Sequence, residues 1–418
     1  MKKGIKLSSL LLFLYLSILL VDIRFFYSLY IDNIVELVLA ALMMILLFFF
    51  AKDSIKHINR QMPFMLAICI ITIVSFSLVF IYTSVTFDQS FKDSFLVGTS
   101  NYKMLLIILV YPLSFLMLKN GIKKIFLLLN VISFILNVIS LIQYVVELTT
   151  GVVFLQAISI GGTPFLNGSL RISMSWIGNI MILYNFYMFF VQTSGKISRK
   201  IGYFLLFILG MIDCFMIARV RGAVLIIIPC LIISVIINRT TKANLLVKIA
   251  FIAGICIFAY FTDYIGEFLD SFSLKATRAY STGARLYAIE YYWNYFLKHP
   301  VFGFGFASIL KYPSIVQGDG RAAISDVGIF GQLARYGIFV VLIYVFPLIR
   351  SIVIVFKARK NTKIKDFSFF ITLSLFVLGT SVSLIAIDHF RMLLWPLYLS
   401  IIEYVNYINK KNDTVLEL

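Results

Sequence analysis

The chain has 418 residues and a formal net charge of +18; 61% of it is hydrophobic, 16% aromatic and only 13% charged. A soluble domain of this length carries about twice that charged fraction, so a water-soluble globular fold is excluded. Open sheets are excluded too, because their edges leave backbone groups unpaired in lipid, and the expected fold class is an all-α polytopic integral membrane protein.

Apolar runs near the roughly 20 residues needed to cross a bilayer recur along the whole chain. Twelve spans are expected, at 7–21, 34–51, 63–82, 104–118, 125–146, 172–192, 201–218, 223–237, 246–262, 326–349, 367–387 and 390–407. Lys2, Lys3 and Lys6 precede the first run without a small-residue cleavage site, so it reads as a membrane helix rather than a cleaved signal. The arrangement implies one transmembrane domain over 1–418, with both termini cytoplasmic.

Charge placement supports that topology. In this arrangement the inner segments hold 23 of the 37 basic residues, among them Lys52, Lys56, Arg60, Lys119, Lys123, Lys124, Lys410 and Lys411, and few acids. Basic residues gathered in every cytoplasmic loop orient a membrane protein. The net charge is explained without nucleic acid, and membrane lipids are the expected surroundings.

The four cysteines lie inside apolar runs with no paired spacing, which points to neither disulfide nor zinc and leaves them as small core hydrophobes. Polar residues concentrate on the outward side, in segments 87–101 and 147–171, in a long loop over 263–325, and at a corner formed by Asp388, His389, Phe390 and Arg391. Inside the long loop, Leu286, Ile289, Trp293 and Phe296 recur at three- and four-residue steps over 284–298, the spacing of an interfacial helix lying on the membrane. A loop this long between membrane helices is usually a working part.

Several side chains could carry chemistry there. Arg219 and Arg221 fall at the outer turn between the seventh and eighth spans, where ionisable groups are costly. They read either as a phosphate clamp, since the guanidinium fork matches phosphate oxygens, or as side chains that snorkel to headgroups or pair with Asp213. Arg285 begins the interfacial helix, with Gly283 placed for a sharp turn, and with Arg278 and Arg321 it makes the loop a second cationic patch; ordinary loop charge balanced by Glu267, Asp270 and Glu290 is the alternative. Gly303 and Gly305 are too little for a dinucleotide site and are read as letting the loop double back. Asp326, at the start of the tenth span, is either a helix cap or a general base. Arg335, about two and a half turns deeper in that span, is expected to pair with an acid on a neighbouring helix. His389, beside Asp388 and Arg391, ranks below Asp326.

The run Ser281-Thr282-Gly283-Ala284-Arg285, then Trp293, then His299-Pro300-Val301-Phe302-Gly303-Phe304-Gly305 resembles the hallmark segment of the O-antigen polymerase and O-antigen ligase superfamily. Arg219-Val220-Arg221-Gly222 and Ser325-Asp326-Val327-Gly328, followed by Arg335-Tyr336-Gly337, resemble its flanking segments, so the specific part of the likeness spans about 215–345. The resemblance implies a membrane glycosyltransferase of the C-type helical fold (GT-C), with its active site outside the membrane, that polymerises undecaprenyl-diphosphate-linked oligosaccharide repeat units. It implies no nucleotide sugar, no metal and no other cofactor. Carried over, Arg221 and Arg285 hold the donor diphosphate with Arg219 in support, and Asp326 is the candidate base. Arg278, Arg321, Trp293 and His389 are candidate contacts to the diphosphate or glycan. Ligases of the family carry a histidine near the loop's return, where this chain has Asp326, which weighs against the ligase alternative. A lipid-linked oligosaccharide flippase is the rival from another class, but charges gathered at one face rather than lining a mid-membrane cavity favour the enzyme. A chain-length regulator and a flippase are candidate partners.

Overall fold

The computed structural model describes residues 6–22, 31–97, 101–152, 165–166, 169–170, 175–190, 197–218, 279–318, 327–357 and 393–411, with single positions 227, 231, 254, 320, 322 and 324. Among them the regular secondary structure is helical apart from one small hairpin, Phe165–Leu166 with Ser169–Leu170. The helices of the first half are α1 (Leu7–Asp22), α2 (Ile31–Phe50), α3 (Lys52–Gln61), α4 (Pro63–Thr86) and α5 (Phe91–Val97). A 3-10 run over Asn101–Leu109 then leads into α6 (Val110–Asn120), and α7 (Ile122–Thr150) follows. Next come α8 (Ser175–Phe190) and α9 (Ile197–Ile212), the latter continued by a π turn over Asp213–Ala218. The remaining helices are α10 (Ala279–Lys298), α11 (Pro313–Gln317), α12 (Ile329–Tyr336), α13 (Phe346–Lys357), preceded by a π turn over Val341–Val345, and α14 (Leu394–Lys411).

The distribution of polarity is that of helices surrounded by lipid. On α4 the buried side carries Thr72, Ser75 and Thr83, while Ile70, Ile73, Val74, Ile81 and Val85 face outward. On α7 Asn130, Ser133, Asn137, Ser140 and Gln143 are buried, and Leu127, Val131, Phe134, Ile135 and Ile142 are exposed. A helix in water would show the reverse. Lipid tails are as apolar as leucine, so small and polar side chains collect where helices meet. Among the described residues α4 and α7 are each long and apolar enough to cross a membrane, and α2 reaches that length only when counted together with α3, to which it is bent by 101°; α1, α8 and the runs around α6 and α13 are apolar but shorter.

The bend between α2 and α4 has a local cause. Lys52–Gln61 alternates charge with Ile55 and Ile58, so it forms an amphipathic helix that buries Ile58 rather than extending the apolar one. Pro63 opens α4 and drives Met62 out of the helical region, to φ −130° and ψ 58°. The chain then runs the full length of α4, about 36 Å, from the basic helix α3 to the turn that carries Gln89.

At the centre stands α14, buried on nearly every side from Leu394 to Ile408. It lies against α6, where Ser400 Oγ donates to Pro396 O at 2.8 Å and also approaches Val110 O at 3.2 Å. Its one buried acid, Glu403 at 1% exposure, receives both Nε and Nη2 of Arg350 from α13, the second at 3.0 Å, and the guanidinium rests 4.3 Å from the ring centre of Phe64. Removing one partner of such a pair leaves a charge buried without compensation. Arg350→Met is expected to destabilise the folded protein by roughly 3 kcal/mol, read as a drop in thermal midpoint in detergent. A midpoint equal to wild type would mean that the pair contributes nothing.

The expected spans at 7–21, 34–51, 63–82, 104–118, 125–146, 172–192, 201–218 and 390–407 each coincide with described helix, with shifted ends. Those at 223–237, 246–262 and 367–387 lie almost wholly outside the described residues. The tenth, 326–349, is corrected. It is not continuous, because α12 stops at Gly337, where φ is +59°, before the chain re-enters helix toward α13.

Candidate functional site

The site is built on α10. Its helix begins at Ala279, about five residues before the sequence pattern indicates, so Arg285 lies in its second turn rather than at its start. Gly283 is correspondingly not a turn residue. It sits within the helix with open space where a Cβ would stand. Gly283→Ala is therefore expected to stabilise the protein by roughly 0.5–1 kcal/mol, measured as a raised thermal midpoint. A lowered midpoint would contradict the helical placement.

The faces of α10 divide the side chains. Ala288 and Tyr292 are buried toward α12 and, with Phe304, Ala307, Val316, Ala322, Val327 and Ala334, form a small core separate from the main one. Tyr292 Oη lies 2.7 Å from Val316 O and 2.9 Å from Ala322 O, so its single proton is shared between two carbonyls of the loop. On the other side Leu286 is 55% exposed, Trp293 40% and Leu297 58%, an apolar stripe consistent with a helix resting on a membrane. Ile289 and Phe296, expected on that stripe, instead pack against the small core and the main core respectively.

Past α10 the segment His299–Gly305 closes around the end of α12. A helix leaves its last carbonyls unpaired. Here Phe304 N donates to Ala334 O and Gly305 N to Arg335 O, both at 2.9 Å, while Ile338 N donates back to Pro300 O at 2.8 Å. Such close backbone approach requires missing side chains. A Cβ on Gly303 would stand 2.7 Å from the Ala334 carbonyl carbon and 2.8 Å from Arg335 O, and nearer still to Ala334 O. Gly303 and Gly305 have φ of +60° and +57°. These glycines clamp the loop to α12, which replaces the reading in which they only let it double back on the bilayer.

The loop is also fastened to the end of α4. Phe306 N donates to Thr83 Oγ1 at 2.9 Å, and the buried Gln89 amide accepts from Ser308 N at 2.9 Å while donating to Phe306 O at 3.1 Å. Tyr312 donates to Phe87 O, and Lys311 pairs with Asp93 at 3.0 Å. The Lys311 hydrogen bond, then that of Ser90, holds the Asp93 carboxyl below its usual value. Because that value is lowered on folding, the contact is present at neutral pH and is lost as pH falls through the lowered value. Thr83 and Gln89 were not read from the sequence; the polar run at the end of the third expected span was the available signal.

Of the expected site residues, the structure describes Arg285 and Trp293. Arg285 is partly buried, and its Nε is enclosed with no hydrogen-bond partner. Trp293 meets Phe330 edge-on, with ring centres 5.9 Å apart. Arg219, Arg221, Arg278, Arg321, Asp326 and His389 lie outside the described residues. Arg335 is buried with its guanidinium carbon 5.8 Å from the Phe304 ring centre. It sits in the short helix α12 and not deep within a continuous span. Cys69 and Cys214 are buried free thiols, and among the described residues no cluster of His, Cys, Asp or Glu has a metal-binding arrangement.

Fold and site together define a membrane-embedded helical protein with a large loop folded onto helix ends. Residues 205–345 match the family model described as O-antigen ligase. This bears out the resemblance to the O-antigen polymerase and ligase superfamily over the stretch that holds the glycine clamp, and it supports a membrane glycan transferase of that general type. No curated protein matches the chain.

Proposed function

We propose that the protein is a polysaccharide polymerase of the C-type glycosyltransferase fold, with about twelve membrane helices, both termini cytoplasmic and residues 263–325 outside. It extends undecaprenyl-diphosphate-linked oligosaccharide repeat units into a surface polysaccharide (O-antigen, capsule or exopolysaccharide) at the outer face of the cytoplasmic membrane. The observation that carries the reading is the family match over 205–345, which includes Arg285 and the clamped loop around it. The placement of α3 and the loop at opposite ends of α4 supports the topology, since α3 carries Lys52, Lys56 and Arg60.

In the proposed reaction a sugar hydroxyl of one lipid-linked unit attacks the anomeric carbon of the other. The bond from that carbon to the diphosphate oxygen breaks, and the lipid diphosphate leaves as an anion. Arg285 and Arg221, with Arg219 in support, stabilise the departing charge. Asp326 takes the proton of the attacking hydroxyl. Arg278, Arg321, Trp293 and His389 contact the diphosphate or the glycan, with Trp293 offering an aromatic face. Membranes containing the protein, supplied with purified lipid-linked repeat units, should yield a ladder of lengthening products without nucleotide sugar. Units that remain single under these conditions would reject the polymerase.

A further inference from the structure

The turn from α2 into α4 makes a surface that the reaction at the loop does not use. Lys52, Lys56 and Arg60 are all exposed and follow one another at steps of four along α3, a row about 12 Å long by helical rise. The other side of the helix is taken up by the protein. Ile58 is buried, Ile55 packs on the main core, and Tyr111 of α6 donates its hydroxyl to Asn59 Oδ1 at 2.8 Å. The end of α14 lies alongside: the Tyr407 ring meets His57, with ring centres 6.2 Å apart, and Lys411, whose Nζ is 4.8 Å from its centre. Lys410 and Lys411 are exposed and extend the cationic surface.

Acids of the chain do not neutralise it. Asp53 is the one acid of α3, and Glu403 of α14 is already held by Arg350. The segments that follow α13 and α14 add Asp366, Asp413 and Glu417, but also Arg359, Lys360, Lys363 and Lys365, so together they bring more cations than acids.

Apolar surface adjoins the row. The outward stripe of α2, Val38, Leu42, Ile45 and Phe49, is exposed, and Phe49 and Phe50 are each 73% exposed immediately before the 101° bend into α3. Lys52 Nζ lies 5.7 Å from the ring centre of Phe48, so charge and apolar stripe meet. A lipid has the same pairing, an apolar tail joined to a charged headgroup. A soluble acidic partner would match the cations and leave the phenylalanines unmatched.

We propose that α3 and the end of α14 form a docking surface for anionic phospholipid, its acyl chains along the α2 stripe and its phosphate on Lys52, Lys56 and Arg60. Ammonium and guanidinium groups both suit phosphate oxygens. Basic side chains just beyond a membrane helix attract anionic headgroups within a Debye length. Because Ile58 and Asn59 fix α3 against the bundle, the backbone of the row is arranged before lipid arrives, and little ordering opposes binding. The surface stands independently of the reaction proposed for the loop.

The test is the thermal midpoint of the full-length protein in nanodiscs of phosphatidylcholine alone and of phosphatidylcholine partly replaced by phosphatidylglycerol. The wild-type midpoint should rise with phosphatidylglycerol, because a ligand bound only by the folded state stabilises it. The rise should vanish in the triple variant Lys52→Gln, Lys56→Gln, Arg60→Gln. It should persist in the double variant Lys123→Gln, Lys124→Gln, which removes charge from α7 instead. Salt gives a second reading that needs no variant: the wild-type rise should shrink as sodium chloride is brought to about 0.5 M. Equal wild-type midpoints in the two discs, a rise indifferent to salt, or a rise that the triple variant keeps overturns the site. An equal loss in the α7 variant also overturns it, since bulk charge would then explain the effect. So does a rise given by soluble polyglutamate in phosphatidylcholine discs where phosphatidylglycerol gives none, which would assign the surface to an acidic protein.

Discussion

Arg285→Ala should abolish polymer while leaving the protein in the membrane at its normal level. The side chain enters from the second turn of α10, and its Nε is enclosed without a partner. Removing it therefore takes away a charge without breaking a hydrogen bond at Nε. In the proposed reaction the guanidinium meets the diphosphate as negative charge develops on it. Deleting one such donor typically lowers turnover about 100- to 1,000-fold, or roughly 3–4 kcal/mol of transition-state stabilisation. Arg285→Lys should recover little, because an ammonium keeps the charge but loses the planar fork. Both variants are read by the glycan ladder and by membrane abundance together. Wild-type polymer in Arg285→Ala would remove this residue from the site.

Gly303→Ala should fail in a different way, by unfastening the loop. The new methyl would meet backbone on both sides of the Ala334–Arg335 peptide, which cannot yield as a flexible side chain can. The φ of +60° adds a conformation that L-residues seldom adopt. Opening the clamp costs the hydrogen bonds from Phe304 N and Gly305 N and exposes the carbonyls at the end of α12. Each buried group left unsatisfied costs about 1–3 kcal/mol. The expected result is protease cleavage between residues 299 and 328 in Gly303→Ala under conditions where the wild type is resistant, with loss of polymer. Unchanged protease resistance would mean that the backbone shifts freely and that the clamp is not what holds the loop.

Much of the helical architecture could be read from apolar run length, since lipid demands it of each span regardless of its partners. The helix within the loop was legible from its spacing, but its first turn was not. Gly283 resembles a breaker, yet Ala279, Ala284 and Ala288 carry the helix through it. The break at Gly337 was hidden for another reason. Ile329 to Val345 reads as one mostly apolar stretch interrupted by only Gln332 and Arg335 among strongly polar residues, and what ends α12 is a set of backbone contacts to Pro300 and Val301 more than thirty residues earlier. The stripe of α10 was half legible, because local spacing cannot tell whether Ile289 and Phe296 meet lipid or protein. Arg285 was named as a candidate from its motif, whereas Thr83 and Gln89 fasten the loop through contacts more than two hundred residues away in sequence and carry no local signature.

Polymerase activity is tested most directly by the size profile of surface glycan from cells lacking this protein, with and without a complementing copy. A polymerase predicts collapse to single repeat units and return of the ladder on complementation. Normal-length polymer left on its lipid carrier, or lipid-linked units held at the cytoplasmic side, would contradict it.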